Sequence, residues 1–334
     1  MYKIAFDIVG NDNGIKNALE ASTKFVKDNK NFEITLVGPE KEIKNYYENN
    51  KIDISKLNIS IINNPNNFED PKNIRQSLHE KTAMNDAIDL VNNNKCDAVL
   101  SSGDSGMFLA LSSFKLKKIE GISRAAFMPM MPTISGKKFF LLDVGANINT
   151  TSEYLVEWAK IASIFAEVFF EKNNPTVSLL NIGTEDFKGL DFVREANLSL
   201  KNQNELNYIG FSEPRDILRG LADVVVIDGY GGNLVLKSLE GAILSFKDLL
   251  KEKIMKKSIR KIGYLLSKGA YKDVAETLDY RNVGAAWVVG LNGMAIKSHG
   301  GSDVKAYLGA LNQIKIGLEK NILNKVKERI YEKK

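Results

Sequence analysis

The feature that most constrains this chain is a repeated unit: a short apolar run, a turn of Gly, Asp, Asn or Ser, then a stretch of helical period. Residues 2–8, 33–37, 98–101, 139–144, 177–181, 223–228 and 287–289 read as strands. Residues 17–26, 81–92, a small-residue stretch from Met107 and the long 153–170 read as helices. Strands apolar at successive positions are buried on both faces, and their alternation with helices predicts a mostly parallel sheet covered on both sides. The predicted class is α/β with a Rossmann-like sheet. The chain has 334 residues, 44% of them hydrophobic, enough to bury a core without covalent staples. Residues 49–73, rich in Asn, Lys and Pro, read as irregular connection or sheet edge. No Pro/Gly/Ser linker divides the chain, so residues 1–334 are read as one domain with a basic helical excursion over 240–275.

One Cys and two His exclude a disulfide framework and any metal cage of several thiolates or imidazoles. A single cysteine fits a reducing compartment. The opening MYKIAFDIVG reads as a buried strand and lacks signal-peptide character. No stretch approaches the ~18 apolar residues of a membrane span.

In an open parallel sheet, ligands bind beyond the carboxyl ends of the strands. Five predicted strand ends carry Gly with Asp, Asn or Ser: Asp7 to Asp12, Ser101 to Gly106, Asp143 to Asn147, Asn181 to Glu185 with Lys188-Gly189 behind it, and Asp228 to Asn233 with Lys237 one turn on. Glycine lets backbone N–H groups approach a ligand, and a helix N-terminus favours an anion. Any one of these loops reads as an ordinary strand-to-helix turn; five at equivalent places exceed what turning requires. The Gly-x-Gly-x-x-Gly, Walker A and Gly-x-Ser-x-Gly patterns are absent, against a standard dinucleotide dehydrogenase, a P-loop kinase and a nucleophile-elbow hydrolase. Cys96 reads as a small apolar residue at a strand start. His79 reads as solvent-facing. His299 stands between an apolar run and the last long helix, and reads either as a structural imidazole near the cap or as an acid/base or phosphate-facing donor.

Taken together and in order, these loops resemble the bacterial phosphate acyltransferase family. The resemblance rests on Asp7, Gly10 and Asp12; on Leu141-Leu142-Asp143-Val144-Gly145-Ala146-Asn147; and on Leu179-Leu180-Asn181-Ile182-Gly183 with Glu185, Lys188 and Gly189. It continues through Ala222-Asp223-Val224-Val225-Val226, Asp228-Gly229, Gly232-Asn233, Lys237, Leu291-Asn292-Gly293, and His299-Gly300 with Ser302. It runs from residue 1 to about residue 315. Four places depart. The usual double glycine of the first loop is Gly10-Asn11, and a Ser-x-Gly-Asn-Thr-Gly loop has Asp104 and Ser105 in place of Asn and Thr. A basic stretch is thinned to Arg75, His79 and Lys81, and a Gly-Gly-Ala-Pro segment is Val283-Gly284-Ala285-Ala286. Asp104 puts a negative charge where an anion would approach, so either it points away or phosphate sits elsewhere.

The resemblance implies an isocitrate/isopropylmalate dehydrogenase-like superfold. It further implies transfer of a fatty acyl group from acyl carrier protein to inorganic phosphate, giving acyl phosphate for phospholipid synthesis. It implies a cytoplasmic homodimer in peripheral contact with an anionic membrane, using no cofactor and no metal. Phosphate is itself a competent nucleophile, so positioning and hydrogen-bond donors suffice. On that basis His299, Lys188 and Asn233 are the catalytic candidates, His299 as proton donor to the leaving sulfur. Gly10, Ser105, Gly106, Gly145, Asn147, Asn181, Gly183, Gly232 and Lys237 are the substrate-binding candidates. A reading of Lys188 as merely capping a solvated helix face stands beside this, as do a hydroxy-acid dehydrogenase of the same superfold and a membrane-associated organising protein for lipid enzymes.

Net charge is +5, unevenly spread. Residues 247–268 hold eight Lys/Arg against Asp248 and Glu252, and residues 315–334 hold seven against Glu319, Glu328 and Glu332, leaving the remainder slightly acidic. Apolar positions from Ile243 to Leu266 recur near helical period with Lys and Arg between them. An ordinary packed helix pair, a dock for an acidic carrier, a dimer contact and an interfacial membrane anchor all fit, with Lys256, Lys257, Arg260 and Lys261 as the surface. No nucleic-acid motif accompanies the charge. The last segment reads as a solvated terminal helix.

Overall fold

In the computed structural model, which describes residues 1–70, 73–279 and 284–331, the apolar runs form one eleven-stranded sheet. Its strands are β1 (Tyr2–Asp7), β2 (Phe32–Gly38), β3 (Ile59–Asn63), β4 (Ala98–Ser101), β5 (Ala126–Pro132), β6 (Lys138–Leu142), β7 (Thr176–Leu180), β8 (Asn207–Ser212), β9 (Val224–Val226), β10 (Ala285–Val289) and β11 (Met294–Ser298). In space they run β3-β2-β1-β4-β11-β10-β5-β6-β9-β7-β8.

Pairing is parallel from β3 to β11 and again from β6 to β8. Between them β10 and β5 pair antiparallel to their neighbours, which reverses the second half relative to the first. The strand β5 serves both halves. Its first residues pair with β10, from Val289 opposite Ala126 to Ala286 opposite Pro129. Its last pair with β6, from Met130 opposite Phe140 to Pro132 opposite Lys138. The carboxyl ends of the two halves therefore converge from opposite directions on the middle of β5.

Side chains alternate between the two faces, as the pleat requires. Ile4 and Phe6 join one core with Leu19, Phe25, Trp158 and Tyr307; Ala5 joins the other with Met84, Ile88, Phe108 and Leu111. Helices Lys16–Asp28, Ser152–Phe169, Asp191–Lys201 and Val304–Glu319 contribute to the first core, and Ala83–Asn92 and Ser105–Lys115 to the second.

The sequence reading missed β5, β8 and β11 and the helices Glu40–Asn49 and Asp191–Lys201, and took the edge strand β3 for irregular connection or sheet edge. In β5, Pro129 and Pro132 break the usual strand signature; the strand survives because its partners change at its middle. The tail is a correction. Ile322 and Val326 are buried, Lys315 donates to Asn29 Oδ1 at 2.6 Å, and Arg329 forms an ion pair with Glu167 at 2.6 Å, so this segment is docked.

The basic segment forms two helices, Gly229–Met255 and Ser258–Thr277, the first spanning about 40 Å at 1.5 Å per residue. Only Gly229 and Gly232 are buried in the first, and none in the second. Leu244, Phe246, Leu249, Met255, Ile259, Ile262, Leu265 and Leu266 are all exposed. Lys256 and Lys257 make the turn between the helices, and Arg260 closes it by donating to the Lys253 carbonyl at 2.8 Å.

Candidate active site

Where the two halves meet, a cleft of about 670 Å³ opens. One wall comes from the first half: Gly10 and Asp12 after β1, Ser102 to Ser105 after β4, and Lys297 to Gly300 at the end of β11. The facing wall comes from β5, from Val144 and Gly145 after β6, and from Asn233, Leu236 and Lys237 on the long helix. The first wall is mostly polar. The second is largely apolar, with Phe127, Pro129, Met130, Met131, Val144 and Leu236.

Each loop is held by its own carboxylate. Asp7 accepts from the Val9 amide at 3.0 Å and the Ser101 hydroxyl at 2.7 Å. Gly10 sits at φ +77°, with Gly103 so close that an added Cβ would lie 3.3 Å from its Cα. Asn11, standing for a second glycine, donates to the Ile8 carbonyl at 2.9 Å and so builds its own turn. Asp12 N–H donates to the Gly300 carbonyl at 2.9 Å, tying the first loop to the last. Asp104 accepts from the Met107 amide at 2.8 Å, so its carboxylate caps the helix Ser105–Lys115 while lining the cleft. Tyr307 donates to the Ser102 hydroxyl at 2.9 Å, and burial pushes the phenol up to about 12.

On the facing wall Asp143 is fully buried and accepts four donors: the amides of Phe127, Ala146 and Asn147 and the Asn147 side chain, at 2.8 to 3.0 Å. Burial raises its carboxyl against the pull of those bonds. Asn147 also donates to the Ala125 carbonyl at 2.7 Å, which commits its amide to the loop. The helix starting at Gly229 is capped by Asp228 through the Gly231 amide at 2.8 Å. It passes so near the β6 loop that a Cβ on Gly232 would lie 1.9 Å from the Asp143 carbonyl oxygen.

Of the residues singled out from the sequence, Gly10, Ser105, Gly145, Asn233, Lys237 and His299 line this one cleft. Gly106, Asn147 and Gly232 do not line it: Gly106 is exposed on the helix Ser105–Lys115, Asn147 is bound into the Asp143 loop, and Gly232 is buried at the start of the long helix. Asn181, Gly183 and Lys188 belong to the loop after β7, two strands beyond β6, and do not line it. There the Lys188 ammonium pairs with Glu185 at 2.7 Å and lies over Gly183, while Asn181 donates to the Lys188 carbonyl at 3.0 Å. Arg75, His79 and Lys81 are exposed. Val283 falls outside the described residues, and Gly284, Ala285 and Ala286 line the cleft. Cys96 is buried at the amino end of β4, about 16 Å along the strand from Ser101, and burial pushes its thiol up.

His299 Nδ1 accepts from the Gly301 amide at 3.1 Å, so the neutral ring carries its proton on Nε2. Lys237 pairs with Glu240 at 2.8 Å. Sequence reasoning missed Lys297. Its side chain is buried, lines the cleft and donates to the Ser298 carbonyl, and burial brings the ammonium down to about 8. Burial drives Asp7 the other way, up to about 7. Among the described residues no group of three or more His, Cys, Asp and Glu is placed to hold a metal ion.

The structure is similar to a phosphotransacetylase from Streptococcus pyogenes, with a TM-score of 0.60 over 94% of each chain. At 17% identity that likeness shows the fold. The sequence is 62% identical to a phosphate acyltransferase of Mycoplasmopsis agalactiae over 333 residues, covering 100% of this chain and 99% of the relative. It is 52% identical to a phosphate acyltransferase of Mycoplasma mobile, covering 97% of this chain and 98% of the relative. The family model described as "Fatty acid synthesis protein" matches residues 2–325, and with full-length relatives of this similarity the chain belongs to that family.

Proposed function

We propose that this chain transfers a fatty acyl group from the thioester of acyl carrier protein to inorganic phosphate, releasing acyl phosphate and the carrier thiol. The observation that carries the reading is the division of the cleft: an apolar wall of Phe127, Met130, Met131 and Leu236 faces a polar wall of Ser102, Ser105, Lys297 and His299. An acyl phosphate has the same two ends. Methionine suits a chain-binding wall because its unbranched side chain repacks around flexible apolar ligands.

In this mechanism a phosphate oxygen attacks the thioester carbonyl, and the C–S bond breaks with its electron pair going to sulfur. The proton that phosphate loses passes to the departing sulfur, and His299 Nε2–H donates a hydrogen bond to that sulfur as its negative charge develops. The cleft supplies position and donors, which is sufficient for a nucleophile already ionised near neutral pH. Cys96, at the far end of β4, plays no part.

The exposed helix pair gives this reading its partners. Its apolar side takes the same surface of a second copy, forming a symmetric dimer. Lys256, Lys257, Arg260 and Lys261, at and beside the turn, meet the anionic membrane surface that receives the product, or the acidic carrier. The protein on this reading is cytoplasmic and peripheral. Among the described residues no helix is long and apolar enough to cross a membrane.

The test is incubation with an acyl carrier thioester, reading free thiol together with acyl phosphate trapped as the hydroxamate. Thiol release that depends on phosphate and yields hydroxamate supports the reading. Release independent of phosphate makes the protein a thioesterase and defeats it.

A further inference from the structure

We propose that Lys297 is a catalytic residue whose ammonium binds the attacking phosphate at the polar end of the cleft. The inference rests on the acyl-transfer reading and assigns its anion site to a residue no loop motif contains.

Register places Lys297 in the sheet. Lys297 on β11 pairs with Ser101 on β4, and Ser101 with Asp7 on β1. Three side chains of one row, on adjacent parallel strands, point to the same face. The row lies at the carboxyl edge, where Gly10, Ser102 and Gly103 border the cleft.

Lys297 differs from the other lysines considered for anion binding. Lys237 is paired with Glu240, and Lys188 with Glu185 outside the cleft. Lys297 is 7% exposed, has a neutral carbonyl as its hydrogen-bond acceptor, and forms no ion pair within 4.0 Å among the described residues. A buried ammonium without a contacting anion is costly to maintain unless an anion completes its environment. Three carboxylates act on it from a distance, Asp7, Asp104 and Asp12, and keep it charged against burial. Two of them are engaged with their own loops: Asp7 with Val9 and Ser101, Asp104 with Met107. Asp104, the departure that had put anion binding in question, thus sustains the cation at this site.

The dianion that docks on Lys297 has one oxygen facing the apolar wall, where the acyl carbon arrives. That oxygen forms the new O–C bond, and the charge left on phosphate in the product stays opposite the ammonium.

Lys297→Met tests this, with Lys297→Gln as a second variant should the first fail to fold. In steady-state assays, kcat/KM for phosphate is expected to fall at least 100-fold while KM for the carrier thioester stays within two-fold, a split that a merely structural role would not produce. Calorimetric titration with inorganic phosphate is expected to show binding in the wild type and none in either folded variant. Phosphate binding at wild-type affinity in the variants overturns the proposal. The titration also separates the two readings: wild-type protein without phosphate-dependent thiol release refutes acyl transfer, yet loss of phosphate binding in the variants would still support Lys297 as the anion site.

Discussion

The exposed apolar face of the helix pair yields a prediction whose size follows from the structure. Ile262 and Leu266 lie one turn apart on the helix Ser258–Thr277 and are 55% and 87% exposed. Fully burying such a side chain contributes about 2 kcal/mol. At these exposures the pair offers about 3 kcal/mol per protomer, and a two-fold interface counts it twice, for about 6 kcal/mol. The double substitution Ile262→Ser and Leu266→Ser is expected to raise the dimer dissociation constant by up to about four decades at 1.4 kcal/mol each. On the same scale the parts of Ile262 and Leu266 already covered within the protomer are worth about 1 kcal/mol, so the protomer's own unfolding changes by only about that much. Sedimentation equilibrium across a concentration series measures the constant, and thermal melting checks the protomer. A wild-type protein that stays monomeric, or a variant whose dissociation constant moves less than ten-fold, refutes the reasoning.

Charge reversal of Lys256, Lys257, Arg260 and Lys261 to Glu is expected to abolish co-sedimentation with anionic vesicles, since each basic residue near such a surface contributes about 1 kcal/mol; unchanged sedimentation together with an unchanged carrier KM removes both partner roles. Gly232→Ala drives a Cβ into the Asp143 carbonyl and is expected to cost about 3 kcal/mol in chemical denaturation, with an unchanged midpoint contradicting the packing described. For pH, the folded state holds the Asp7 proton up to about 7 against 3.8 for the unpaired group, chiefly because of burial; Ser101, Val9 and Lys297 pull the other way. Between those values the folded protein binds more protons than the unfolded, so stability falls as pH rises from about 4 to 7, by up to about 4 kcal/mol. Asp7→Asn should flatten that fall in urea unfolding. Lys297, brought from 10.5 to about 8 by burial against the upward pull of Asp7, Asp104 and Asp12, has the opposite sign: its penalty is complete below pH 8 and is relieved as pH climbs toward 10.5.

The loops were legible in sequence because each combines Gly with a carboxylate at a strand end, and those carboxylates do bind their own loop amides. The parallel runs were legible for the same local reason: Ala98 to Ser101 is continuously apolar until it reaches the site. Two things were not. The reversal between halves depends on β5, whose prolines and methionines carry no strand signature and whose pairing partners lie more than 150 residues away on one side. Lys297 ends an apolar run, as a solvent-seeking lysine would. Its burial follows only from the register of β11 against Ser101 and Asp7, a relation between strands nearly 200 residues apart that no local periodicity encodes. The Asn181–Lys188 loop illustrates the converse. Its residues have the composition of an anion site, but the Glu185 pairing and the position of β7 turn the lysine onto its own loop.

The placement of β10 and β11 between β4 and β5 also dictates a schedule. As the chain leaves the ribosome, β4 and β5 present open edges at the centre of the future sheet, and the strands that close them end only at Ser298. At 5–20 residues per second, the interval after Pro132 lasts roughly ten to thirty seconds. Through that interval a nascent chain holds two unpaired apolar edges, the configuration most prone to pair with another chain. Premature termination before residue 285 would leave those edges open permanently, so truncated products of this gene should aggregate however intact their loops are.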